Sequence, residues 1–259
     1  MAARIIKQTS SYHWYDANGV PHHEAGLREA RKLNLLPSPT TIIKVMNNPA
    51  LSMWMQKNLL LAALTVPDEE KEGIELDDLA KRVVEDSKKQ GSEAATRGTA
   101  VHLGCEAILR GEEWDKEDEQ LVAVNDWAQA NIMDVHFTEE VVVNTELGYA
   151  GCCDALLEHQ EHGKVGLDWK TQGCKTNAKG AYKPAFYKNW ALQGAAYREC
   201  INRELPFLSV VINKNAPEVF EKRWDDADID KAFDAFANLH ALWCWEKNYY
   251  PGRKSEAAA

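Results

Sequence analysis

The spacing of hydrophobic positions divides the chain into helical, strand-like and again helical stretches. In "SYHWYDANGVPHH", residues 11–23, apolar and polar positions alternate about an Asn-Gly pair, which predicts a small hairpin. The stretch "PSPTTIIKVMNNPALSMWMQKNLLLAALTV" predicts a short helix from near Thr40, a break at Pro49, and a longer helix to about Val66. After the polar connector "PDEEKEGIE", residues 76–112 read as two helices separated near Gly91. The second carries Val101, Cys105, Ile108 and Leu109 as an apolar stripe at helical spacing. Another helix is expected over 116–133.

The period then shortens. "TEEVVVNTE", "GYAGCCDALLEH" and "KVGLDWKT" are β-rich segments bounded by turn residues and predict three consecutive strands. Helical spacing returns in "PAFYKNWALQGAAYRECINRE", followed by two strand segments, "FLSVVINK" and "EVFEKRW", and a last helix over about 226–248. From residue 92 the order is helix, helix, three strands, helix, two strands, helix. That grouping predicts an α/β fold (α+β mixed), with a central mixed sheet flanked by helices rather than a regular β-α alternation. The expected division is an N-terminal hairpin and helical segment over 1–91 packed on a core of 92–250. A flexible tail over 251–259 has nothing to pack.

Composition narrows the setting. A chain of 259 residues can bury a core without disulfide or metal staples, and its six cysteines show no C-x-x-C spacing. The sequence shows no signal-peptide-like or membrane-spanning apolar run, so a soluble protein of a reducing cytoplasm is expected. A net charge of −10 argues against a general nucleic-acid coat protein, yet residues 164–223 hold eleven Lys/Arg against five Asp/Glu. Such a stretch reads either as a footprint for phosphate or as ordinary exposed lysines.

Candidate chemistry concentrates in the strand segments. Asp168 and Lys170 are two apart, so on a strand they leave one face while Trp169 leaves the other. Asp154 lies in the preceding strand, where antiparallel pairing brings it beside Asp168. Two converging carboxylates repel unless a cation sits between them, and a hard divalent ion takes oxygen ligands. The surface salt bridge is the competing reading of Asp168 and Lys170.

In "GTAVHLGCE", His102 and Glu106 stand four apart on one helical face, as do Gln193 and Tyr197 in "QGAAY". Each pair alone reads equally as an ordinary helix face. His159 and His162 in "EHQEHG" fall in the polar connection between strands and are expected to be solvated. "DDADIDKAFDAF" begins like a calcium loop but has Lys231 where glycine is needed and Ala237 where a glutamate belongs. Its aspartates suit a helix N-terminus instead.

Taken in order, "GTAVHLGCE", "GYAGCCD", "LDWKT" and "QGAAY" resemble the RecB-like branch of the PD-(D/E)xK nuclease superfamily, and particularly single-domain exonucleases of tailed phages. "PSPTTIIKVMNNPALSMWMQKN" looks like their front segment, so the resemblance spans roughly residues 37 to 215.

The resemblance implies a PD-(D/E)xK restriction-endonuclease-like core and a DNA exonuclease dependent on Mg2+ or Mn2+. It implies metal binding by His102, Asp154, Asp168 and the backbone carbonyl of Trp169, with Lys170 as catalytic lysine and Glu106 supporting the site. Gln193 and Tyr197 match the family's Q-x-x-x-Y motif for orienting DNA. The phosphates would be tracked by Lys175, Lys179, Lys183, Lys188 and Lys214.

Trp190 and Tyr187 read as core packing ahead of base stacking. The cysteine pattern of iron-sulfur relatives is absent, so no cluster is expected; Cys152 and Cys153 read as packing residues. No G-x-x-x-x-G-K-[ST] loop is present, so no ATP is expected. Phage-type context implies linear DNA ends, a single-strand annealing or binding protein as partner, a homo-oligomer, and the cytoplasm of an infected bacterial host. A structure- or sequence-specific endonuclease and a non-catalytic DNA-binding or recombination module are the alternatives.

Overall fold

The computed structural model describes residues 13–46 and 49–252, the side chains of 49–51 and 89–95 excepted. Residues 11–12 of the expected hairpin and 253–259 of the expected tail lie outside the described residues. Contacts group residues 1–46 with 104–259 and set 47–103 apart as a second compact unit.

In the first unit, strand β1 (Trp14–Tyr15) leads into a tight loop. The Asp16 carboxylate accepts the N–H groups of Asn18 and Val20, both at 2.8 Å, while Gly19 takes the left-handed conformation at φ 81° that the turn needs. Tyr15 forms a bridge with Pro21, but the ladder partner of β1 is β2 (Leu36–Pro37), which follows helix α1 (Leu27–Leu33). The expected hairpin is thus a closed loop whose strand pairs further along the chain. Ser38 then caps helix α2 (Pro39–Ile43), accepting the N–H of Thr41 at 3.1 Å with Pro39 in the first turn.

The front segment divides differently from the expected 1–91 portion. Trp14 is fully buried against Trp243 and Tyr249, with ring centroids 6.0 and 6.1 Å away. The Tyr249 hydroxyl donates to the carbonyls of Leu35 at 2.6 Å and Ala30 at 3.1 Å. These contacts bind residues 13–46 into the unit that holds helix α7 (Asp226–Lys247).

The second unit holds helix α3 (Pro49–Thr65), a 3-10 turn at Asp68–Glu70 and most of helix α4 (Leu76–Arg110). The expected break at Gly91 is absent, because α4 runs through it for 35 residues. One interior glycine costs only about 1 kcal/mol against alanine.

After α5 (Glu119–Asn131) come β3 (Ile132–Asn144), β4 (Tyr149–His159) and β5 (Gly163–Gln172), then the two-residue strands β6 (Lys175–Thr176) and β7 (Tyr182–Lys183). Helix α6 (Lys188–Ile201), β8 (Phe207–Asn213), β9 (Val219–Arg223) and α7 (Asp226–Lys247) complete the order. The main sheet runs β3-β4-β5-β8-β9. Only β5 and β8 are parallel, joined through α6; the other pairs are antiparallel. The architecture is therefore mixed α/β, with a five-stranded mixed sheet flanked by helices.

Helix α6 is brought onto the sheet by missing side chains. A Cβ on Gly194 would lie 2.5 Å from the Phe207 ring, and one on Gly166 would lie 2.7 Å from it. Both glycines admit that fully buried ring, which seats α6 over β5 and fixes the height of Gln193 and Tyr197. On the opposite face, Trp169 meets Trp127 of α5 edge-on at 5.4 Å.

Asp225 caps α7 by accepting the N–H of Ala227, with Asp226 and Asp228 in the first turn. The tail expected from 251 starts later, since Pro251 is buried against Gly148 of the β3–β4 turn, where a Cβ would strike its carbonyl oxygen. Among the described residues no helix is long and apolar enough to cross a membrane.

Candidate active site

The β4–β5 ladder ends at the pair Ala155↔Leu167. One step further the strands part, and a side chain replaces the backbone bond: Asp154 Oδ2 accepts the N–H of Trp169 at 2.6 Å. Asp168, 2% exposed, sits beside it on β5. Burial pushes the Asp154 carboxyl well above the usual carboxylate range, and the charges of Asp168 and Glu139 push the same way; Lys170 and the Trp169 N–H oppose them.

Lys170 leaves β5 on the same face as Asp168, as strand periodicity requires. Its Nζ lies 2.5 Å from Asp168 Oδ2 and donates to Gln193 Oε1 at 2.9 Å. Gln193 Nε2 in turn donates to the Tyr197 hydroxyl at 3.1 Å, one helical turn on. Burial, with the negative charge of Asp168, holds that hydroxyl in its protonated form. The ammonium is thereby fixed by one acid on its own strand and one amide on the covering helix. Trp190 adds its ring, with Nζ 5.8 Å from the centroid.

Glu106, in the last turns of α4, pairs with Arg110 at 2.7 Å, and Arg110 Nε donates to Thr138 Oγ1 on β3 at 2.7 Å. The next residue of β3, Glu139, was not singled out by the sequence. It is half-buried with φ at 51°, uncommon for a residue with a side chain, and accepts the Cys152 thiol at 3.3 Å. Burial raises its carboxyl, and Glu106 and Asp168 raise it further. Cys153 is buried in the core, while Cys152 is only partly covered.

His102 stands one turn before Glu106 on the same continuous helix.

The predicted lysines Lys175, Lys179, Lys183, Lys188 and Lys214 are all exposed, on or around β6, β7 and the start of α6 and end of β8. Tyr187 is 47% exposed rather than packed in the core, and Trp190 is half-buried against it with centroids 5.1 Å apart. The expectation of solvated histidines fails at His159, which is 1% exposed, and at His162, which is half-buried. The turn folds them back onto β9, where Glu221 meets both.

No family model matches the chain, and no curated protein matches it. Among solved structures, one described as the crystal structure of SSO0001 is 17% identical, with a TM-score of 0.31, over 78% of this chain and 93% of that chain. So slight a similarity carries no argument about fold or activity.

Proposed function

We propose that this chain is a metal-dependent deoxyribonuclease with a PD-(D/E)xK core, acting as an exonuclease from DNA ends. The observation that carries this reading is the position of Lys170. Its ammonium is held between Asp168 Oδ2 and Gln193 Oε1, beside a second, half-buried carboxylate, Asp154. A surface salt bridge has no need of a second acid held in the fold or of an amide clamp. The four motifs that resemble the RecB-like branch converge here through Glu106, Asp154, Asp168, Lys170, Gln193 and Tyr197, which supports the same reading.

The donor set fits a hard divalent cation. Asp154 is half-buried next to Asp168 and Glu139, and one lysine does not balance three carboxylates. Asp154 and Asp168 would hold Mg2+ or Mn2+, with His102 and the Trp169 carbonyl added only as the resemblance implies, and Glu139 stands near the two acids. When bound, the ion supplies Lewis-acid stabilisation of charge on a phosphoryl oxygen.

The chain's own residues do the remainder. Lys170 orients a water for in-line attack, and its ammonium stabilises the negative charge that develops on the phosphoryl oxygens. Gln193 limits the rotation of that ammonium, and Tyr197 holds the amide. Glu106, fixed by Arg110, supports the metal-binding face of α4. The exposed lysines of 175–188 and Lys214 bind the phosphate backbone, and Tyr187 presents a ring on which a base can stack.

The test uses linear DNA labelled at 5' or 3' ends, single- and double-stranded, with circular controls, in Mg2+, Mn2+ or EDTA. Stepwise loss from one end that requires metal and spares circles is the expected result. Cut circles would make the enzyme an endonuclease, and no cleavage under any condition would leave a DNA-binding module.

A further inference from the structure

At its closed end the β4–β5 hairpin holds a second group of side chains that the proposed function does not use. His159 ends β4, His162 lies in the turn before β5, and Glu221 comes from β9 on the far edge of the sheet. His159 Nε2 is buried and makes no hydrogen bond, although Glu221 Oε2 lies 3.4 Å away. His162 Nε2 lies 3.8 Å from the other carboxylate oxygen, and the three ligand atoms fall within 4.8 Å of one another.

We infer that His159, His162 and Glu221 form a second metal site, for a borderline divalent transition ion such as Zn2+. The first argument is donor chemistry. Two imidazoles and one carboxylate suit Zn2+ and its neighbours, whereas Mg2+ takes oxygen ligands. The second is spacing. Tetrahedral bonds of 2.0–2.1 Å put neighbouring ligand atoms about 3.3 Å apart, close to the 3.4 and 3.8 Å found here.

The third argument is support from outside the ligand set. The Trp127 indole N–H donates to Glu221 Oε2 at 2.9 Å, which orients the carboxylate as outer partners do in metal centres. Finally, a cation would satisfy a buried ring nitrogen that the fold leaves without a hydrogen bond.

Two adjustments accompany binding. The rings of His159 and His162 are stacked, 11° from parallel and 4.6 Å apart, so His162 must turn for both to reach one ion. Its place in the turn gives it an exposed side on which to do so. His159 Nδ1 accepts the N–H of Glu161 at 3.1 Å, so ligation through Nε2 moves the ring proton to Nδ1 and returns the Glu161 N–H to solvent. Glu161 is exposed, and water replaces that bond.

The site is separate from the candidate active site. Five steps of extended strand, about 17 Å, separate His159 from Asp154 on β4. Three protein ligands would tie the hairpin's turn to the edge strand β9, making the ion a staple across the sheet.

The test uses the full chain with Asp154→Asn and Asp168→Asn, so that the candidate active site contributes little affinity. Calorimetry with ZnCl2 should show one equivalent bound, and Co2+ should give the visible absorption of a site with nitrogen ligands. His162→Ala in that chain should weaken Zn2+ binding at least tenfold, as should Glu221→Gln, which keeps an acceptor for Trp127. Circular dichroism confirms that each variant is folded. Should the double substitution prevent folding, the same comparison on the wild-type chain by native mass spectrometry should show His162→Ala losing one equivalent of Zn2+. No Zn2+ binding up to millimolar concentration, or binding unchanged in both variants, would overturn the site.

Discussion

The two ends of the β4–β5 hairpin invert each other's design. At the open end the backbone ladder stops and Asp154 takes over the N–H of Trp169, so acids and Lys170 gather where the strands part. At the closed end the ladder runs to its last pair, His159↔Gly163, and the buried His159 and half-buried His162 reach sideways to Glu221. The first arrangement concentrates negative charge that strains a fold without a cation. The second sets a single carboxylate against two imidazoles and packs against Trp127. The lesson is that a strand end can hold reactive groups because it gives up pairing, while a turn can hold donors without that cost.

The largest expected effect tests whether the open end is the reactive one. Lys170→Ala should lower DNA cleavage about 10^3-fold, in the range typical of a lost group that stabilises developing charge, with DNA affinity in EDTA nearly unchanged. Single-turnover cleavage beside a binding titration checks this, and unaltered cleavage would remove Lys170 from the chemistry.

Next is the packing that holds α6 over that end. Gly194→Ala and Gly166→Ala each drive a methyl into the Phe207 ring and should cost about 1–3 kcal/mol in urea unfolding. The two changes should not add, because they press on one ring. Gly194→Ala should also slow cleavage more than Gly166→Ala, since it displaces the neighbour of Gln193.

The charge at the open end gives a smaller effect of opposite sign. The folded state raises the Asp154 carboxyl, so it holds a proton that the unfolded chain releases. Stability is therefore lost as pH rises from the ordinary carboxylate range through the raised value. Asp154→Asn keeps an acceptor for the Trp169 N–H and removes this penalty. In EDTA at pH 7 its Tm should lie about 3 °C above wild type, with the two converging below pH 4. A lower Tm at neutral pH would mean that the carboxylate is balanced in the fold. Its cleavage should be lost.

Smallest is a change at the closed end. Trp127→Phe removes the N–H held by Glu221 and should cost about 0.5–1 kcal/mol in thermal unfolding, without altering the cleavage rate. A matching loss of cleavage would show that the two ends are coupled.

The sequence makes the open end legible because local periodicity decides it. Period two puts Asp168 and Lys170 on one face, antiparallel pairing brings Asp154 alongside, and helical spacing aligns Gln193 with Tyr197. Each relation spans few residues or adjacent strands. Glu139 has no such signal: nothing in "TEE" separates it from Glu140, and only the strand's conformation and its place beside Cys152 single it out.

The histidines were misjudged for a related reason, since their partner lies some sixty residues on, in a strand whose register no local pattern sets. The grouping of 13–46 with the sheet likewise depends on Trp14 and Tyr249, at opposite ends of the chain. Only Gly91 misled locally, because a glycine signals a break that a long helix can absorb.

The left-handed residue in β3 has a consequence for how the molecule behaves in a crowded solution. β3 is a 13-residue outermost strand of the main sheet, long enough to recruit a strand from another chain. Its midpoint carries Glu139 at φ 51°, followed by the exposed Glu140, with exposed Asp134 and His136 nearer the start. The left-handed residue and the exposed polar side chains make that margin a poor template for strand addition. The same residue that presents a carboxylate to the site therefore also acts as a guard against aggregation.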